Sequence, residues 1–358
     1  MNARNSQLDP DKNIYCDKLN SLSSFNDKIL FKKHTHKINH IDLLKNLLMT
    51  SGDDDLIIIV DLQMLKFALT YYDIINGTRY SKFLEPSSQK IIYYGYKSYK
   101  LYIYDYIKDQ ILYVVNLLRE NLYHFEYNIK SNIVITTQEN NNVVWKLNEI
   151  KLLPYYNIKD SYYAIINENK QHIISCAHIY KNNDSSKKYS AISIYIYDNN
   201  SRNFLVKKDR DLNRDFGFHI TMMNFYKNYE NYNLILMSDF EIEMINLDNN
   251  DSKICLINLR NNFDLKFTCI EPVFTKEILV GYNNGDVELI NPFWEEDKIK
   301  KKIIRKYDED KQIRKIIKQI EDNDVRHQNS VVQIKMSDYY PLYVSISDEM
   351  IIYQLKDN

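Results

Sequence analysis

Glycine, proline and cysteine are all scarce in this chain, with six Gly, six Pro and four Cys in 358 residues. Ordinary usage is about 7% Gly and about 5% Pro, so an enzyme built on several glycine-rich phosphate loops is not expected. Cys16, Cys176, Cys255 and Cys269 show no CxxC spacing, and the one CxH, Cys176-Ala177-His178, stands alone. They make no zinc motif and no disulfide framework, and a reducing compartment fits them. Net charge is lacking too, because 47 basic residues against 48 acidic ones leave a formal −1. Bulk electrostatics therefore gives no reason to expect non-specific binding to nucleic acid or membrane, and any such surface must be local. The longest apolar runs, such as Leu56–Val60, fall far short of the ~20 residues that a membrane span needs. Met1–Asn13 is polar and has no apolar signal-peptide core, so a chain neither secreted by that route nor embedded in a membrane is expected.

What the chain has in quantity is strand-forming residues: 31 Tyr, 14 Phe and a heavy load of Ile, within a hydrophobic fraction of 44%. These residues recur in a pattern. From about residue 20 the chain repeats a short apolar strand, a polar turn, a second strand ending in small residues, a tight Asp/Asn-rich turn and a third apolar strand. Seven such units can be marked by their third strands: Leu56–Asp61, Lys100–Asp105, Asn142–Lys146, Ala191–Asp198, Glu241–Asn246, Asp286–Asn291 and Met350–Gln354. Short strands with turn signals, returning every 40 to 50 residues or so, predict radially repeated four-stranded blades.

The first unit is the clearest. It carries His34, alternating Ile38 and Ile41, then Met49-Thr50-Ser51-Gly52-Asp53-Asp54-Asp55 running into Leu56–Asp61. This resembles the WD repeat, in which a histidine near the start of the unit bonds an aspartate lying six positions before the tryptophan of the terminal Trp-Asp pair. Asp54 lies six before Val60, which stands where the tryptophan would. The same offset places Glu139 before Trp145, Asp239 before Ile245, Asn284 before Ile290 and Ser98 before Tyr104. The resemblance implies a structural network drawn from His34, Asp54, Trp145, Asp239 and Asn284. The implied fold is all-β, a seven-bladed WD-repeat β-propeller over 21–358, with residues 1–20 as a disordered tail. The seventh unit ends with only three strands, and Ser24–Lys33 is the segment expected to supply its fourth and so remove an exposed edge.

Further segments narrow the resemblance. They are Leu22-Ser23-Ser24-Phe25, Lys37-Ile38-Asn39 with Asp42, Arg79-Tyr80, Leu234-Ile235-Leu236-Met237-Ser238, Ile270-Glu271-Pro272-Val273-Phe274-Thr275 and the closing run Ser345–Tyr353. Together they are similar to the small propeller subunit of the COMPASS histone lysine methyltransferases, which is also found in 3'-end processing and termination phosphatase assemblies. That likeness implies a non-catalytic nuclear scaffold without cofactor or metal, present as a single propeller within a larger complex. Its partners would be a methyltransferase scaffold or 3'-end processing subunits. A cullin-ligase substrate receptor and a propeller hydrolase are the rival classes, the latter requiring a carboxylate cluster at the central channel. Two segments exceed the family's usual loops, Lys181–Tyr189 and 292–328.

Other constellations have plainer readings. His34, His36 and His40 suggest a metal, but no cysteine or second histidine group converges on them; His34 is expected to partner Asp54 and the other two to end strands. Asp53–Asp55 lacks the spaced ligands and terminal Glu of a calcium loop. No GxSxG elbow occurs, and Cys176 beside His178 reads as blade core. Within Trp294–Asp324 the residues Ile299, Ile303, Tyr307, Ile313, Ile317 and Ile320 fall on one stripe, predicting a charged helical insertion between the sixth and seventh units. Lys298, Lys300, Lys301, Lys302, Arg305 and Lys306 form a basic run in it. A solvated arm is the first expectation for this segment, and an import signal or weak contact with nucleic-acid phosphates is the second.

Overall fold

The computed structural model describes residues 24–31, 34–62, 66–72, 78–84, 89–117, 121–138, 141–167, 169–180, 188–198, 205–212, 219–226, 233–248, 252–259, 264–273, 277–290, 318–319, 327, 329–337, 342–348 and 350–356. These residues form strands and turns, with no helix among them. The amino-terminal strand is β1 (Ser24–Phe31). The first sheet holds β2 (Ile38–Leu44), β3 (Leu47–Gly52), β4 (Leu56–Asp61) and β5 (Lys66–Tyr72), and the second β6 (Thr78–Phe83), β7 (Lys90–Gly95), β8 (Lys100–Asp105) and β9 (Gln110–Asn116). The third holds β10 (Leu122–Asn128), β11 (Ile133–Gln138), β12 (Asn141–Asn148) and β13 (Lys151–Lys159). The fourth comprises β14 (Ser161–Asn167), β15 (His172–Tyr180), β16 (Lys188–Asp198) and β17 (Leu205–Asp211). The fifth holds β18 (Met222–Phe225), β19 (Asn233–Met237), β20 (Glu241–Asn246) and β21 (Ser252–Asn258), and the sixth β22 (Phe267–Pro272), β23 (Ile278–Tyr282), β24 (Val287–Ile290) and β25 (Lys318–Gln319). The seventh holds β26 (Gln333–Met336), β27 (Leu342–Ile346) and β28 (Met350–Lys356), with β1 antiparallel to β28 from Ser24 opposite Lys356 to Phe31 opposite Met350.

Each sheet is an antiparallel array of four, and the third strands of the seven repeat units are β4, β8, β12, β16, β20, β24 and β28. Because side chains alternate across a strand, the central strands are apolar on both faces and face two neighbours at once. In β4, Ile57 and Ile59 join Phe83, Ile91 and Tyr93 of the second sheet, while Leu56, Ile58 and Val60 join Val344, Ile346 and Ile352 of the seventh. In β19, Leu234 and Leu236 pack towards the fourth sheet and Ile235 and Met237 towards the sixth. Seven such apolar clusters occur among the described residues, one between each pair of consecutive sheets and one between the seventh and the first.

The expected helix, 294–324, lies outside the described residues except for Lys318–Gln319. Those two are strand, not helix: they pair with Leu289 and Glu288. The free edge of β24 offers backbone groups that a paired strand satisfies, and this outweighs an apolar stripe read at helical spacing. The six basic residues of the insertion also lie outside the described residues.

With so few glycines, the tight turns rest on other residues. Lys45, Asp55, Tyr99, Asp109, Asn132, Glu149, Asp160 and Gln171 all adopt φ between 53° and 62°. For an L-residue this left-handed conformation carries a steric cost of roughly 1–2 kcal/mol. Lys45→Gly and Glu149→Gly, both at exposed hairpin turns, should therefore stabilise the fold. We expect a gain of about 0.5–1 kcal/mol each in urea denaturation, after the greater entropy of glycine in the unfolded chain is subtracted.

Candidate functional site

Two sets of polar side chains lie inside the sheets. The first is the turn network of the repeat. Asp54 sits at the β3–β4 turn, and His34 precedes β2. A neutral His34 ring donates from Nδ1 to Asp54 Oδ1 at 2.8 Å, and its Nε2 lies 2.9 Å from Thr50 Oγ1. The Thr35 and Leu56 amides also donate to Asp54, at 2.8 and 3.4 Å. The space is tight, since a Cβ at Gly52 would lie 2.8 Å from both Asp54 Oδ1 and His34 Nδ1. Val60, in the tryptophan position, is buried against the seventh sheet and brings no donor.

Asp53 instead accepts from Asn39 Nδ2 at 2.6 Å, and Asp55 pairs with Lys97 at 2.6 Å on the surface. Asp54→Ala should thus cost on the order of 1–3 kcal/mol, because it strands the buried His34 ring and two amides. Asp53→Ala and Asp55→Ala should cost less. Equal losses at all three positions in thermal unfolding would mean that the network does not centre on Asp54.

Trp145 Nε1 donates to Thr136 Oγ1 at 2.8 Å in the third sheet. By register, Thr136 in β11 matches Thr50 in β3, since they stand opposite Phe125 and Ile41 in the respective first strands. Asp239 and Asn284 occupy their turns without joining a histidine. Asp239 pairs with Lys266 at 3.0 Å, both nearly half exposed, and Asn284 bonds Asp286 within its own turn. Glu139 lies outside the described residues.

A member of the network was missed in the sequence. His327, which the sequence reading put inside the insertion, is buried and lies 2.7 Å from Ser345 Oγ through Nε2 and 2.9 Å from Ser347 Oγ through Nδ1. The signal was there: His327 precedes Ser347 by the same 20 positions that separate His34 from Asp54. A serine does the work of the aspartate, so a search for acids passes over it. The turn conformation leans on the same residue, since Gly285 has φ 88° and a Cβ there would collide with the His327 carbonyl.

The second set runs along the first strands of the sheets. Register-equivalent positions in six of the seven sheets hold His40 and Asp42, Tyr80 and Lys82, His124 and Glu126, Met222 and Asn224, Cys269 and Glu271, and Gln333 and Lys335. The fourth sheet has Tyr163 and Ile165 there. His40 is therefore not a strand-end residue but part of this array.

Its members reach from one sheet to the next. Phe83 N–H donates to Asp42 Oδ2 at 2.8 Å, and Tyr80 OH to the Tyr123 carbonyl at 2.8 Å. Outside the array, Asn142 Nδ2 donates to Ser161 Oγ, and Ile220 N–H to Ser190 Oγ at 3.0 Å, again from sheet to sheet. Ile270 N–H points at Met222 Sδ at 3.4 Å, and Lys335 Nζ donates to Glu271 at 3.0 Å. Ile41 N–H, in the first sheet, donates to Gln333 Oε1 in the seventh at 2.9 Å.

Two ion pairs lie within the array. Lys82 lies 3.4 Å from Asp42, and Glu271, almost wholly buried, also takes Asn224 at 3.4 Å and Met336 N–H at 3.5 Å. Burial works to lower the Lys335 pKa, but the carboxylates of Glu271, Glu126 and Asp42 outweigh it and hold the ammonium well above the ordinary lysine value. Burial also pushes the Tyr80 hydroxyl up to about 12. His124 stacks on Tyr163 at 4.1 Å, and burial, with Lys82 close by, pulls its pKa down to about 3. His40 is pulled well below 6.5 by burial and then by Lys82, Lys335 and His124. Among the described residues no group of three or more His, Cys, Asp or Glu converges as a metal site.

The sign of the resulting pH dependence is fixed. Burial lowers His34, His40, His124 and His327, the last to about 4, so each stays neutral in the fold while the unfolded chain takes up a proton below 6.5. The unfolded state then binds more protons, so stability rises with pH and is lost as the pH is lowered, by about 1.4 kcal/mol per unit for each histidine in its window. Melting temperatures should hold steady above pH 7 and drop from about pH 6.5 downward, before ordinary carboxylates titrate. A flat profile between pH 7 and 5 would contradict the buried neutral histidines.

No family model matches the chain, and a comparison with curated proteins finds no match either.

Proposed function

We propose that the seven sheets are the blades of a closed WD-repeat propeller, joined by β1, and that the protein is a non-catalytic nuclear scaffold. The observation that carries the closed ring is the bond from Ile41 to Gln333, which joins residues 292 positions apart and lies beside an apolar cluster shared by the first and seventh sheets. The His34–Thr50–Asp54 network supports the WD-repeat type. Against a hydrolase, Asp42 and Glu271 on the first strands each accept from a backbone amide and a lysine, which leaves Glu126 without the second uncommitted carboxylate that glycoside hydrolysis uses. A rigid disc with its polar groups turned to its own seams acts by offering loops and rim to partners.

The partner assembly rests on the likeness in sequence to the small propeller subunit of COMPASS, and we take a histone lysine methyltransferase complex as the first assignment. Cleavage and polyadenylation or termination phosphatase machinery is the second. Affinity purification of the tagged full chain, followed by mass spectrometry, tests this. Recovery of a methyltransferase scaffold is the expected result; recovery of 3'-end processing subunits alone would move the protein to the second assembly, and a ligase adaptor alone would overturn both.

A further inference from the structure

Every sheet ends in an outer strand, and outer strands expose unpaired backbone groups that invite another strand. Six of the seven outer strands carry a charged residue in their sequence, and β13 adds Pro154: these are β1, β5, β13, β17, β21 and β25. Such residues blunt an edge. β9 is different. Its sequence, Gln110-Ile111-Leu112-Tyr113-Val114-Val115-Asn116, has no charge, no proline and no glycine, and it is rich in the residues that favour strands. Leu112, Tyr113 and Val115 turn towards the apolar cluster shared with the third sheet, while Ile111 and Val114 are left 45% and 41% exposed. One bulge, at Leu112, bends the strand as bulges bend the outer strands β5, β13, β17 and β21. Tyr113–Asn116 beyond it keeps regular register with β8, opposite Ile103 to Lys100.

We infer that the edge of β9 is a docking site for the β9 of a second copy of this chain, paired antiparallel about a two-fold axis. An isologous contact of this kind sets a strand against its own reverse. Read in either direction, β9 presents an amide, two aliphatics, a tyrosine, two aliphatics and an amide. Apolar side chains therefore meet apolar ones on both faces, the amides of Gln110 and Asn116 lie at the ends, and no charge meets its like. The same operation on β17, Leu205-Val206-Lys207-Lys208-Asp209-Arg210-Asp211, would crowd charges along the contact. The pairing is a property of the second sheet alone, stands apart from the scaffold reading, and replaces the single-copy expectation drawn from the sequence.

Sedimentation equilibrium of the full-length chain tests it. The wild type should associate to twice the 43.0 kDa chain mass. Ile111→Lys/Val114→Lys places cations at two exposed positions and should return the mass to that of one chain, with an unchanged circular dichroism spectrum. Ile196→Lys/Leu205→Lys, at exposed apolar positions of the fourth sheet, should remain dimeric. Hydrogen exchange on the wild type gives a second readout without substitution: amides of residues 110–116 should be protected at high protein concentration and lose protection on dilution. A wild type that stays at one chain mass with concentration-independent exchange overturns the inference, as does a dimer that survives both lysines. A monomeric wild type that binds a partner through β9, and loses it on lysine substitution, would give this edge to a foreign strand and equally overturn self-pairing.

Discussion

A chain lacking residues 1–33 should lose its cooperative thermal transition, whereas one lacking residues 1–18 should melt as the full-length protein does. The difference lies in β1, which pairs along β28 from Phe31 to Ser24. Without it, Met350–Lys356 becomes an open edge, and the seventh sheet keeps three strands while still bearing the contacts to both the sixth and the first. A sheet that fails there releases Val344, Ile346, Met350 and Ile352 from the cluster they share with Ile38, Ile58 and Val60. Burial of such side chains contributes roughly 1.5–3 kcal/mol each, so the loss is comparable to the whole stability of an ordinary domain. An unchanged melting curve for the longer deletion would show that β1 does not hold the seventh sheet to the first.

The second large effect is expected at Glu271. Replacing it with Ala leaves the Lys335 ammonium without its 3.0 Å partner and takes an acceptor from Met336 N–H and Asn224, at a place where Glu271 is buried and Lys335 about a quarter exposed. Breaking a buried pair on one side typically costs about 3–5 kcal/mol. Glu271→Gln keeps an acceptor and should cost less. Glu271→Leu combined with Lys335→Met removes both charges at similar volume and should recover most of the loss, since well-packed apolar residues replace buried pairs with little penalty. Urea denaturation of the wild type and the three variants gives the comparison. A single Glu271→Ala loss below about 1 kcal/mol, or a double variant as unstable as the single one, would mean the pair is solvated and holds no seam together.

Much of this architecture can be read from local pattern. The bounds of β4, β8 and β20 match the expected Leu56–Asp61, Lys100–Asp105 and Glu241–Asn246, because a short run buried on both faces between polar turns has well-marked ends. The His34–Asp54 bond could be read because both partners lie in one unit at fixed spacing. Asp239 and Asn284 show the limit of that rule: spacing finds the turn, but the partner is whatever side chain the fold brings to it. For Asp239 that is the exposed Lys266. The array on the first strands was hidden for a stronger reason. Asp42 and Glu271 are unremarkable acids until register sets Asp42 against Phe83 and Glu271 against Lys335. Spacing along the chain does not encode a contact made from sheet to sheet.

The pairing of β1 with β28 also has a consequence in time. During synthesis β1 emerges well before β28, and the residues between them take on the order of 20–60 s to make at 5–20 residues per second. For that interval the amino-terminal strand has no partner in its own chain, while the intervening sheets can form one after another from neighbours in sequence. Completion of the seventh sheet is a loop closure that brings Phe31 against Met350, the kind of distant contact that slows folding. The last act of folding therefore waits on the ribosome, and a nascent chain stalled before residue 350 carries a strand at one end that any nearby edge can take.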